Sequence, residues 1–266
     1  REVGLGIVER AAANVPGRRS VKKVIAEMGG KNAIIVDADA DLDQTVAGVM
    51  QSAFGYQGQK CSACSRVLVL AACYERFMER LCEAVKGMRV GPPEDPDNSV
   101  GPLIEERAVE RFAEYLALGR MEGKLAAQAR TPGEGFYAAP AVLTDLPATS
   151  RLLREEIFAP LLAVIKVRDM DEALAVANDS EYALTGGLFS RSPANIGKTA
   201  QEFAVGNLYI NRGITGAVVG RQPFGGFRLS GVGSKAGGPD YLLQFLEPRV
   251  VTENTMRRGF TPEVIS

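Results

Sequence analysis

Two short segments combine residue types that suit nucleophilic chemistry, Glu27-Met-Gly-Gly-Lys-Asn32 and Gly58-Gln-Lys-Cys61-Ser-Ala-Cys64. Cys61 follows Lys60, and a thiolate becomes a good nucleophile where the local electrostatic potential is positive. A glutamate such as Glu27, when partly buried by glycine-rich backbone, is suited to act as a general base. Each feature alone is weak, because a lone cysteine is more often an inert core residue and a glutamate beside two glycines is more often a solvated loop charge. The combination predicts a cysteine nucleophile with a carboxylate base.

The chain contains no histidine. This excludes, within the chain, a Cys-His or Ser-His pair and a zinc site with imidazole ligands. Proton transfer near neutral pH therefore falls to a carboxylate, a lysine, a tyrosine or a cysteine. Cys61 and Cys64 form a CxxC pair, but zinc needs two further ligands, and Cys73 and Cys82 stand in apolar, helix-like surroundings. We expect no metal site, and four cysteines without a disulfide-like framework indicate a reducing, intracellular setting.

The elements that must position these residues alternate between strand-like and helix-like patterns. Strands are predicted at Asn32–Val36, Ser65–Leu70, Leu161–Val167, Gly187–Ser190 and Gly206–Asn211, and helices at 46–54, 77–88, 104–119, 169–178 and 193–203. This alternation predicts an α/β fold with a largely parallel sheet flanked by helices. Glu27 and Cys61 lie 34 positions apart and are separated by one strand and one helix. Because a strand and a helix return the chain to the same edge of a sheet, we expect both side chains in one crevice.

Composition and charge narrow the function class. Hydrophobic residues make up 46% and charged residues 24% of the chain, and 31 basic side chains stand against 32 acidic ones. No basic tract is present, which speaks against nucleic acid and anionic membrane surfaces as partners. The longest apolar runs, such as Val67–Cys73, are too short to span a bilayer. The first residue is Arg1, and the opening REVGLGIVERAA is typical of the middle of a longer sequence, so we expect a fragment.

Several motifs together resemble the aldehyde dehydrogenase superfamily. EMGGKN resembles its Glu-(Leu/Met/Thr)-Gly-Gly-Lys motif, and GQKCSA resembles its active-site cysteine motif. Glu156-Ile-Phe158-Ala-Pro160 resembles its Glu-Ile-Phe-Gly-Pro segment, with Ala159 in place of the glycine. Pro223–Gly226 with Leu229–Gly231 resembles a turn near the family's C-terminal end, and Glu2-Val3-Gly4 resembles a helix that contacts the cofactor. The resemblance covers essentially the whole chain.

The resemblance implies three parts of the chain and a set of roles. Residues 1–28 are expected to be a remnant of the NAD-binding domain, 29–235 the catalytic domain, and 236–266 a tail with an oligomerisation strand near Glu247–Thr255. Cys61 is the implied nucleophile, which forms a thioester, and Glu27 the implied base. The implied contacts with NAD, or with NADP, are Gly4, Gly29, Glu156 and Phe158. A homo-oligomer in the cytoplasm, or in the mitochondrial matrix of a eukaryote, is expected.

The substrate class is implied by longer stretches, GYQGQKCSACSR, TGAVVGRQPFGG and KAGGPDYLLQF. They resemble the branch that oxidises glutamate γ-semialdehyde in proline catabolism, the 1-pyrroline-5-carboxylate dehydrogenases. In that branch Ser62 and the backbone N–H groups of Gly216 and Ala217 would hold the substrate's distant carboxylate through charge-assisted hydrogen bonds. Phe224 would line the channel and pack against the substrate's methylene groups.

Other readings stay open. One alternative is an enzyme for another semialdehyde, such as succinic semialdehyde, and another is a non-catalytic assembly module. Lys31 either orients Glu27 or the cofactor, or is a solvated lysine. The acidic run from Asp37 to Asp43 resembles a calcium loop only superficially and is expected to precede and cap a helix. Because the family's oxyanion amide donor and most of its dinucleotide-binding domain precede this segment, the chain alone is expected to be inactive.

Overall fold

The computed structural model describes residues 1–256 and 259. The strands are β1 (Ala26–Glu27), β2 (Asn32–Val36), β3 (Cys64–Leu70), β4 (Lys124–Gln128), β5 (Ala141–Thr144), β6 (Leu161–Val167), β7 (Tyr182–Ala183), β8 (Thr185–Phe189), β9 (Asn207–Ile210), β10 (Phe227–Arg228) and β11 (Gly231–Val232). The α-helices are α1 (Glu2–Ala12), α2 (Leu42–Phe54), α3 (Tyr74–Lys86), α4 (Glu106–Glu122), α5 (Arg151–Arg154), α6 (Met170–Asn178) and α7 (Pro193–Glu202). Two short 3₁₀ helices span Gly55–Gly58 and Leu242–Phe245.

Seven strands form one central sheet in the order β4-β5-β6-β3-β2-β8-β9. All neighbours in this sheet are parallel except β4, which pairs antiparallel with β5 at one edge. Each parallel step is made through an intervening helix, such as α2 between β2 and β3. The predicted α/β fold with a largely parallel sheet and flanking helices is confirmed.

The strands carry almost continuous apolar sequence because helices cover the sheet on both faces. Every residue of β2 and β8 is buried, and β3 is buried at all but one position. Strands that are buried on both faces show unbroken hydrophobic runs in place of alternation. The packed interior divides into a large cluster around β2, β3, β6 and β8 and a smaller one that contains Phe112, Tyr115 and Leu143.

Capping residues fix where three of the helices begin. The side chain of Asp41 accepts a hydrogen bond from the N–H of Gln44 at the start of α2, at 3.2 Å. Asp169 and Ser192 cap α6 and α7 in the same way. The expected capping role of the acidic run is therefore confirmed at Asp41, while Asp37 is buried and accepts hydrogen bonds from Ser190 and Asn195.

Some elements differ from the prediction. β4, β5 and α5 were not expected, because their short, alanine-containing sequences carry weak periodicity. Among the described residues, Glu247–Thr255 belongs to no strand, so the predicted strand is wrong for the single chain. These residues are exposed, and a strand requires a ladder partner that the chain's own sheet edges, β4 and β9, do not provide to this segment.

Two further expectations stay predictions. Pairing of the tail with a second copy is one of them, and residues 257, 258 and 260–266 of that tail lie outside the described residues. The domain limits at 28/29 and 235/236 are the other. In the described part of the chain, no helix has both the length and the apolar character needed to cross a membrane.

The dense packing of the central strands leads to a stability prediction. Leu68 on β3 is 0% exposed, whereas Leu242 in the C-terminal region is 71% exposed. We expect Leu68→Ala to lower the free energy of unfolding by about 3 kcal/mol, because it removes buried methyl groups and leaves a cavity. The control Leu242→Ala should change it by less than about 0.5 kcal/mol. Urea unfolding measures both, and equal losses for the two variants would contradict the assignment of the core.

Candidate active site

The amino ends of β2 and β3 bring the two sequence motifs together. β2 begins directly after Glu27-Met-Gly-Gly-Lys, and β3 begins three residues after Cys61. The two strands are parallel neighbours with Asn32 paired to Cys64. Because α2 returns the chain to the amino end of the sheet, both motifs lie at the same edge, as the strand-helix spacing predicts.

The buried side chain of Asn32 fixes the cysteine turn at this edge. Its Nδ2 donates to the carbonyl oxygens of Cys61 and Ala63, both at 2.8 Å, and its Oδ1 accepts from the N–H of Thr185 at 3.0 Å. The turn is entered through three successive left-handed residues, 56–58, of which two are not glycine. Left-handed tyrosine and glutamine are uncommon and persist only where surrounding contacts hold them. The sequence alone assigns Asn32 no role, although it ends the EMGGKN motif.

Cys61 and Glu27 line one small cleft. Its walls also include Phe224 and Gly225 from the glycine-rich C-terminal region, and Ser230 to Ser234 beyond them. Two contacts tie that region to the Glu27 motif: the β1–β11 ladder pairs Glu27 with Gly231, and the N–H of Met28 donates to the carbonyl of Ser230 at 3.0 Å. The structure therefore brings together three of the predicted site residues, Cys61, Glu27 and Phe224.

Burial, and not a neighbouring cation, dominates the acidity of Cys61. Burial raises the pKa of the Cys61 thiol, the carboxylates of Glu156 and Glu27 raise that pKa further, and the N–H groups of Ser62 and Cys61 oppose them. Lys60 is not among the groups that act most strongly on this pKa, and its Nζ lies over the Tyr56 ring, 5.7 Å from the ring centroid. At neutral pH the thiol is protonated in the free protein.

The expectation that Glu27 is partly buried is also wrong. Its residue is exposed, because β1 has only two residues and pairs at the surface with β11 alone. Gly231 is required opposite it, since an added Cβ there would lie 2.6 Å from the carbonyl oxygen of Ala26. Exposure leaves the carboxylate of Glu27 free to reach water, and its assignment as the base stays a prediction.

Glu156 lies against the two glycines that follow Met28. Its Oε1 accepts a hydrogen bond from the N–H of Gly30 at 3.0 Å, and a side chain at Gly29 would collide with its carboxylate. Burial raises the pKa of Glu156, while the Gly30 N–H and the charge of Lys31 oppose that rise. The predicted cofactor residues Gly29 and Glu156 are thus in direct proximity, and both lie near Cys61.

A larger open groove runs from Glu156 past α1. Its lining includes Glu2, Val3, Arg111 and Tyr182. Gly4 on α1 faces the motif as well, because an added Cβ at Gly4 would lie 2.6 Å from the sulfur of Met28. Phe158 is 39% exposed and has a left-handed backbone, with φ of 60°. A half-buried carboxylate two residues from an exposed aromatic ring offers a hydrogen-bond acceptor for ribose hydroxyls and an apolar face for a planar ring, which fits a dinucleotide.

Lys31 is not a solvated lysine, so that alternative is wrong. It is 2% exposed, and its Nζ has no hydrogen-bond partner among the described residues. Burial lowers the pKa of Lys31 to about 7, as does the charge of Arg66, while Glu156 and Glu155 act in the opposite direction. Arg66 itself is buried, and its guanidinium donates to the carbonyls of Lys31, Val176 and Ala177. An arginine inside the apolar run SRVLVL was the sequence signal for this buried charge.

The predicted substrate-carboxylate residues are not all assembled. Ser62 is buried beside the nucleophile, and its carbonyl accepts from the hydroxyl of Thr185 at 3.3 Å. Gly216 has a left-handed backbone, with φ of 77°, and is exposed. Neither Gly216 nor Ala217 lines the cleft that holds Cys61. Their role therefore stays a prediction, whereas Phe224 occupies the cleft as expected.

Residues 1–251 match the model of the aldehyde dehydrogenase family. The chain belongs to the aldehyde dehydrogenase family. It is 47% identical over 258 residues to a 1-pyrroline-5-carboxylate dehydrogenase of Geobacillus sp. (strain WCH70), a match that covers 95% of this chain and 49% of the relative. It is 46% identical over 254 residues to the 1-pyrroline-5-carboxylate dehydrogenase of Bacillus subtilis (strain 168), with the same coverage.

Solved structures of similar proteins share the fold. Proline utilization A from Bdellovibrio bacteriovorus superposes with a TM-score of 0.95 and 54% identity, which covers 98% of this chain and 27% of that one. A 1-pyrroline-5-carboxylate dehydrogenase from Thermus with bound NAD gives a TM-score of 0.89 and 47% identity, over 92% of this chain and 48% of that one. The chain spans about half the length of the curated relatives it matches.

The alanine that departs from the family motif is accommodated in this aldehyde dehydrogenase chain. Ala159 is buried in the smaller core cluster, and its backbone is not left-handed. The close approach is made by Gly58 of the cysteine turn, where an added Cβ would lie 2.6 Å from the carbonyl oxygen of Ala159. The methyl group of Ala159 thus fills core space, and glycine is needed on the opposing turn.

The remaining thiols are set apart from the cleft. All four cysteines are free, and Cys64 and Cys73 are buried. Burial raises the pKa of Cys64 to about 12. In residues 1–256 and 259, no group of three or more cysteine, aspartate or glutamate side chains is placed to hold a metal ion. Cys61 is therefore the cysteine that the aldehyde dehydrogenase cleft presents to a ligand.

The charge of Glu156 should control the acidity of Cys61. We expect Glu156→Gln to lower the pKa of the Cys61 thiol, because the largest charge that opposes the thiolate is removed. The pH dependence of Cys61 alkylation by iodoacetamide, followed by peptide mass spectrometry, measures the shift. Glu155→Gln is the matched control, since Glu155 is engaged by Tyr115 and Arg151 and is not among the charges acting on Cys61. An unchanged or raised midpoint in Glu156→Gln contradicts the expectation.

Lys31 should make stability depend on pH in the alkaline range. Its pKa falls from an ordinary value of 10.5 to about 7 on folding, so between these values the folded chain binds fewer protons than the unfolded chain. The destabilising effect of its charge is full below pH 7 and fades as the pH rises through this window. We expect Lys31→Met to raise the free energy of unfolding at pH 6 by about 2 kcal/mol, and by less at pH 9.

Urea unfolding at the two pH values measures this difference. The exposed Lys22 supplies the control variant Lys22→Met, which should have the same small effect at both pH values. A loss of stability in Lys31→Met that is equal at pH 6 and pH 9 would show that Lys31 contributes through packing of its stem and not through its buried charge.

Proposed function

We propose that this chain carries the catalytic half of an NAD-dependent dehydrogenase that oxidises L-glutamate γ-semialdehyde to L-glutamate. The observation that carries the proposal is the shared cleft of Cys61, Glu27 and Phe224. A half-buried thiol, an exposed carboxylate and an aromatic wall supply the groups needed for acyl transfer to water. Relatives named 1-pyrroline-5-carboxylate dehydrogenase, at 46–48% identity, support this substrate class.

Cys61 is the proposed nucleophile. Because burial and two carboxylates favour the thiol over the thiolate, Cys61 must pass its proton to a base as the aldehyde binds. Glu27 lines the same cleft and is the proposed acceptor, and its exposed carboxylate then releases the proton to water. The sulfur then bonds to the aldehyde carbon, and the carbonyl oxygen becomes an oxyanion. The backbone N–H of Cys61 belongs to the turn anchored by Asn32, so it is held in place to donate to that oxyanion.

Glu27 is the proposed base for the second half of the reaction. NAD, held by Glu156 and Phe158, would supply the acceptor for the hydride of the former aldehyde carbon, and the substrate would then remain as a thioester of Cys61. Glu27 takes a proton from water, the hydroxide oxygen bonds to the thioester carbon, and the carbon–sulfur bond breaks. The carboxylic acid so formed gives its proton to the departing thiolate, so the products are the carboxylate and the free thiol of Cys61, and Glu27 releases the proton it took to water. Exposure of Glu27 suits this task, since its carboxylate must contact water.

The cofactor residues are proposed from the groove beside the cleft. Glu156 would accept hydrogen bonds from the nicotinamide ribose, and Phe158 would pack against the nicotinamide end. Gly29 allows Glu156 to approach the motif, and Gly4 brings α1 against Met28. The Thermus relative that contains bound NAD supports NAD as the cofactor.

Specificity for a substrate with a distant carboxylate is proposed to come from Ser62 and from the N–H groups of Gly216 and Ala217. These two loop residues must approach the cleft when substrate binds, because in the free chain they do not line it. The tail from Leu242 onward is exposed and apolar at Leu243, Phe245 and Val250. We propose that it pairs with a second copy of the chain in a homo-oligomer.

Activity of the full-length protein tests the proposal. With NAD, we expect a higher kcat/KM for oxidation of glutamate γ-semialdehyde than for oxidation of succinic semialdehyde. Only the former carries its carboxylate at the distance from the aldehyde that would place it against Ser62 and the N–H groups of Gly216 and Ala217. Cys61→Ala should lower kcat by a factor on the order of 10⁴ or more, since it removes the nucleophile. Production of NADH, followed at 340 nm, is the measurement.

The control and the contrary outcomes are distinct. Cys82→Ala, which removes a thiol outside the cleft, should retain activity. Activity that survives Cys61→Ala would overturn the nucleophile. Preference for succinic semialdehyde would overturn the substrate, and a folded full-length protein that binds NAD without oxidising either aldehyde would favour an assembly role.

A further inference from the structure

Lys235 occupies an unusual position in the wall of the candidate site. Its Nζ donates to the carbonyl oxygens of Gly206 at 2.5 Å and of Gly225 at 2.6 Å, and to Oδ1 of Asn207 at 3.3 Å. An ammonium group has three donors, and all three are used on neutral oxygens. Among the described residues, no carboxylate lies within ion-pair distance of this lysine.

The three acceptors belong to two segments that are distant in sequence. Asn207 starts β9 and Gly206 directly precedes it, whereas Gly225 follows Phe224 in the turn that lines the cleft. The backbones of the two segments nearly touch, since a side chain at Gly206 would collide with the carbonyl of Gly225. Two carbonyl oxygens that converge on one point repel each other unless a cation lies between them, and Lys235 supplies that cation.

The same contacts enclose Phe224 from both sides. Nδ2 of Asn207 donates to the carbonyl of Pro223 at 2.9 Å, and Oδ1 of Asn207 accepts from the N–H of Gly225 at 3.2 Å. The N–H and carbonyl of Phe224 form an antiparallel bridge with Ala236, which directly follows Lys235. The carbonyl of Pro223 and the N–H of Gly225 are therefore bound by Asn207, which Lys235 contacts. The N–H and carbonyl of Phe224 are bound by Ala236, and the carbonyl of Gly225 is bound by Lys235 itself.

We propose that Lys235 is a positioning residue that fixes the Pro223–Gly226 turn, and through it the ring of Phe224, against the cleft of Cys61. Lys235 does not line the cleft, so it acts on a ligand only through that turn. Lys235 is half-buried, and this burial lowers its pKa, so the three oxygens that accept from its Nζ are what stabilise the ammonium form. The consequence for substrate selection rests on the proposed function, since the ring is expected to pack against the methylene groups of the aldehyde.

Size-selective alkylation of Cys61 tests the proposal without any need for turnover. The rates of iodoacetamide and of its bulkier N-phenyl derivative are measured at each cysteine by peptide mass spectrometry. We expect Lys235→Met to raise the bulky-to-small rate ratio at Cys61 by roughly threefold or more, because a loosened turn widens the cleft. Lys235→Arg, which keeps the charge and several donors, should return the ratio toward the wild-type value.

Three controls separate positioning from a general loss of structure. The buried Cys64 and Cys73 should stay unreactive in Lys235→Met, whereas global loosening would expose them as well. Lys22→Met, which removes an exposed charge, should leave the ratio unchanged. In a Phe224→Ala background, Lys235→Met should have little further effect on the ratio, because both substitutions then act on the same wall.

The outcomes decide the proposal. An unchanged ratio at Cys61 in folded Lys235→Met overturns it, and so does an equal, additive change in the Phe224→Ala background. If Lys235→Met fails to fold, Asn207→Ala removes the second clamp on the same turn, and an unchanged ratio in that folded variant is equally decisive.

Kinetics of the full-length protein extend the test to substrate. With NAD and glutamate γ-semialdehyde, Lys235→Met should raise KM several-fold while kcat stays within about twofold, which is the pattern expected for lost substrate positioning. A fall in kcat at unchanged KM would overturn the link to Phe224. Absence of turnover in the wild type would overturn the proposed function instead, and the alkylation ratio would still decide the role of Lys235.

Discussion

The candidate site depends on the buried amide of Asn32. This one side chain joins the start of β2 to the carbonyls of Cys61 and Ala63 ahead of β3, and to the N–H of Thr185 at the start of β8. Three strands of the sheet are thereby held in register at the edge where the chemistry is proposed. Both its donor and its acceptor are satisfied, so the amide stabilises a single arrangement of the cysteine turn. The position of the Cys61 sulfur is therefore set by buried hydrogen bonds, and the surrounding loops can differ without moving it.

Low polarity is the second constraint on this edge. Burial raises the pKa of the Cys61 thiol and of the Glu156 carboxyl, and it lowers the pKa of Lys31 to about 7. Each group is shifted toward its neutral form, so the free site favours uncharged side chains. A ligand that brings charge or hydrogen-bond donors changes that balance, because interactions between charges are stronger where water is excluded. The acidity of the cysteine is therefore a property of the whole edge and not of its sequence neighbour Lys60.

The sequence predicts the layer order and the meeting of the two motifs, because both follow from local patterns. Apolar runs mark β2 and β3, the helical period marks α2, and parallel connectivity then fixes which ends coincide. It does not predict the exposure of Glu27 or the contacts of Lys235. The exposure of Glu27 depends on its pairing with Gly231, about 200 positions further along the chain. The contacts of Lys235 depend on a turn that only tertiary structure assembles. Short strands such as β4 and β5 escape prediction for the related reason that a few residues carry too little periodicity.

The nucleophile and the base are constrained to very different degrees, and this difference bears on the order of the proposed steps. Cys61 lies on a turn that is fixed by buried hydrogen bonds, whereas Glu27 lies on a two-residue ladder at the surface. A ladder of that length opens at a low free-energy cost, since few bonds and little buried area oppose it. The sulfur must be placed before any bond forms, but the carboxylate is needed only when water attacks the thioester. A fixed cysteine and a loosely held glutamate therefore suit a reaction in which acyl transfer precedes hydrolysis.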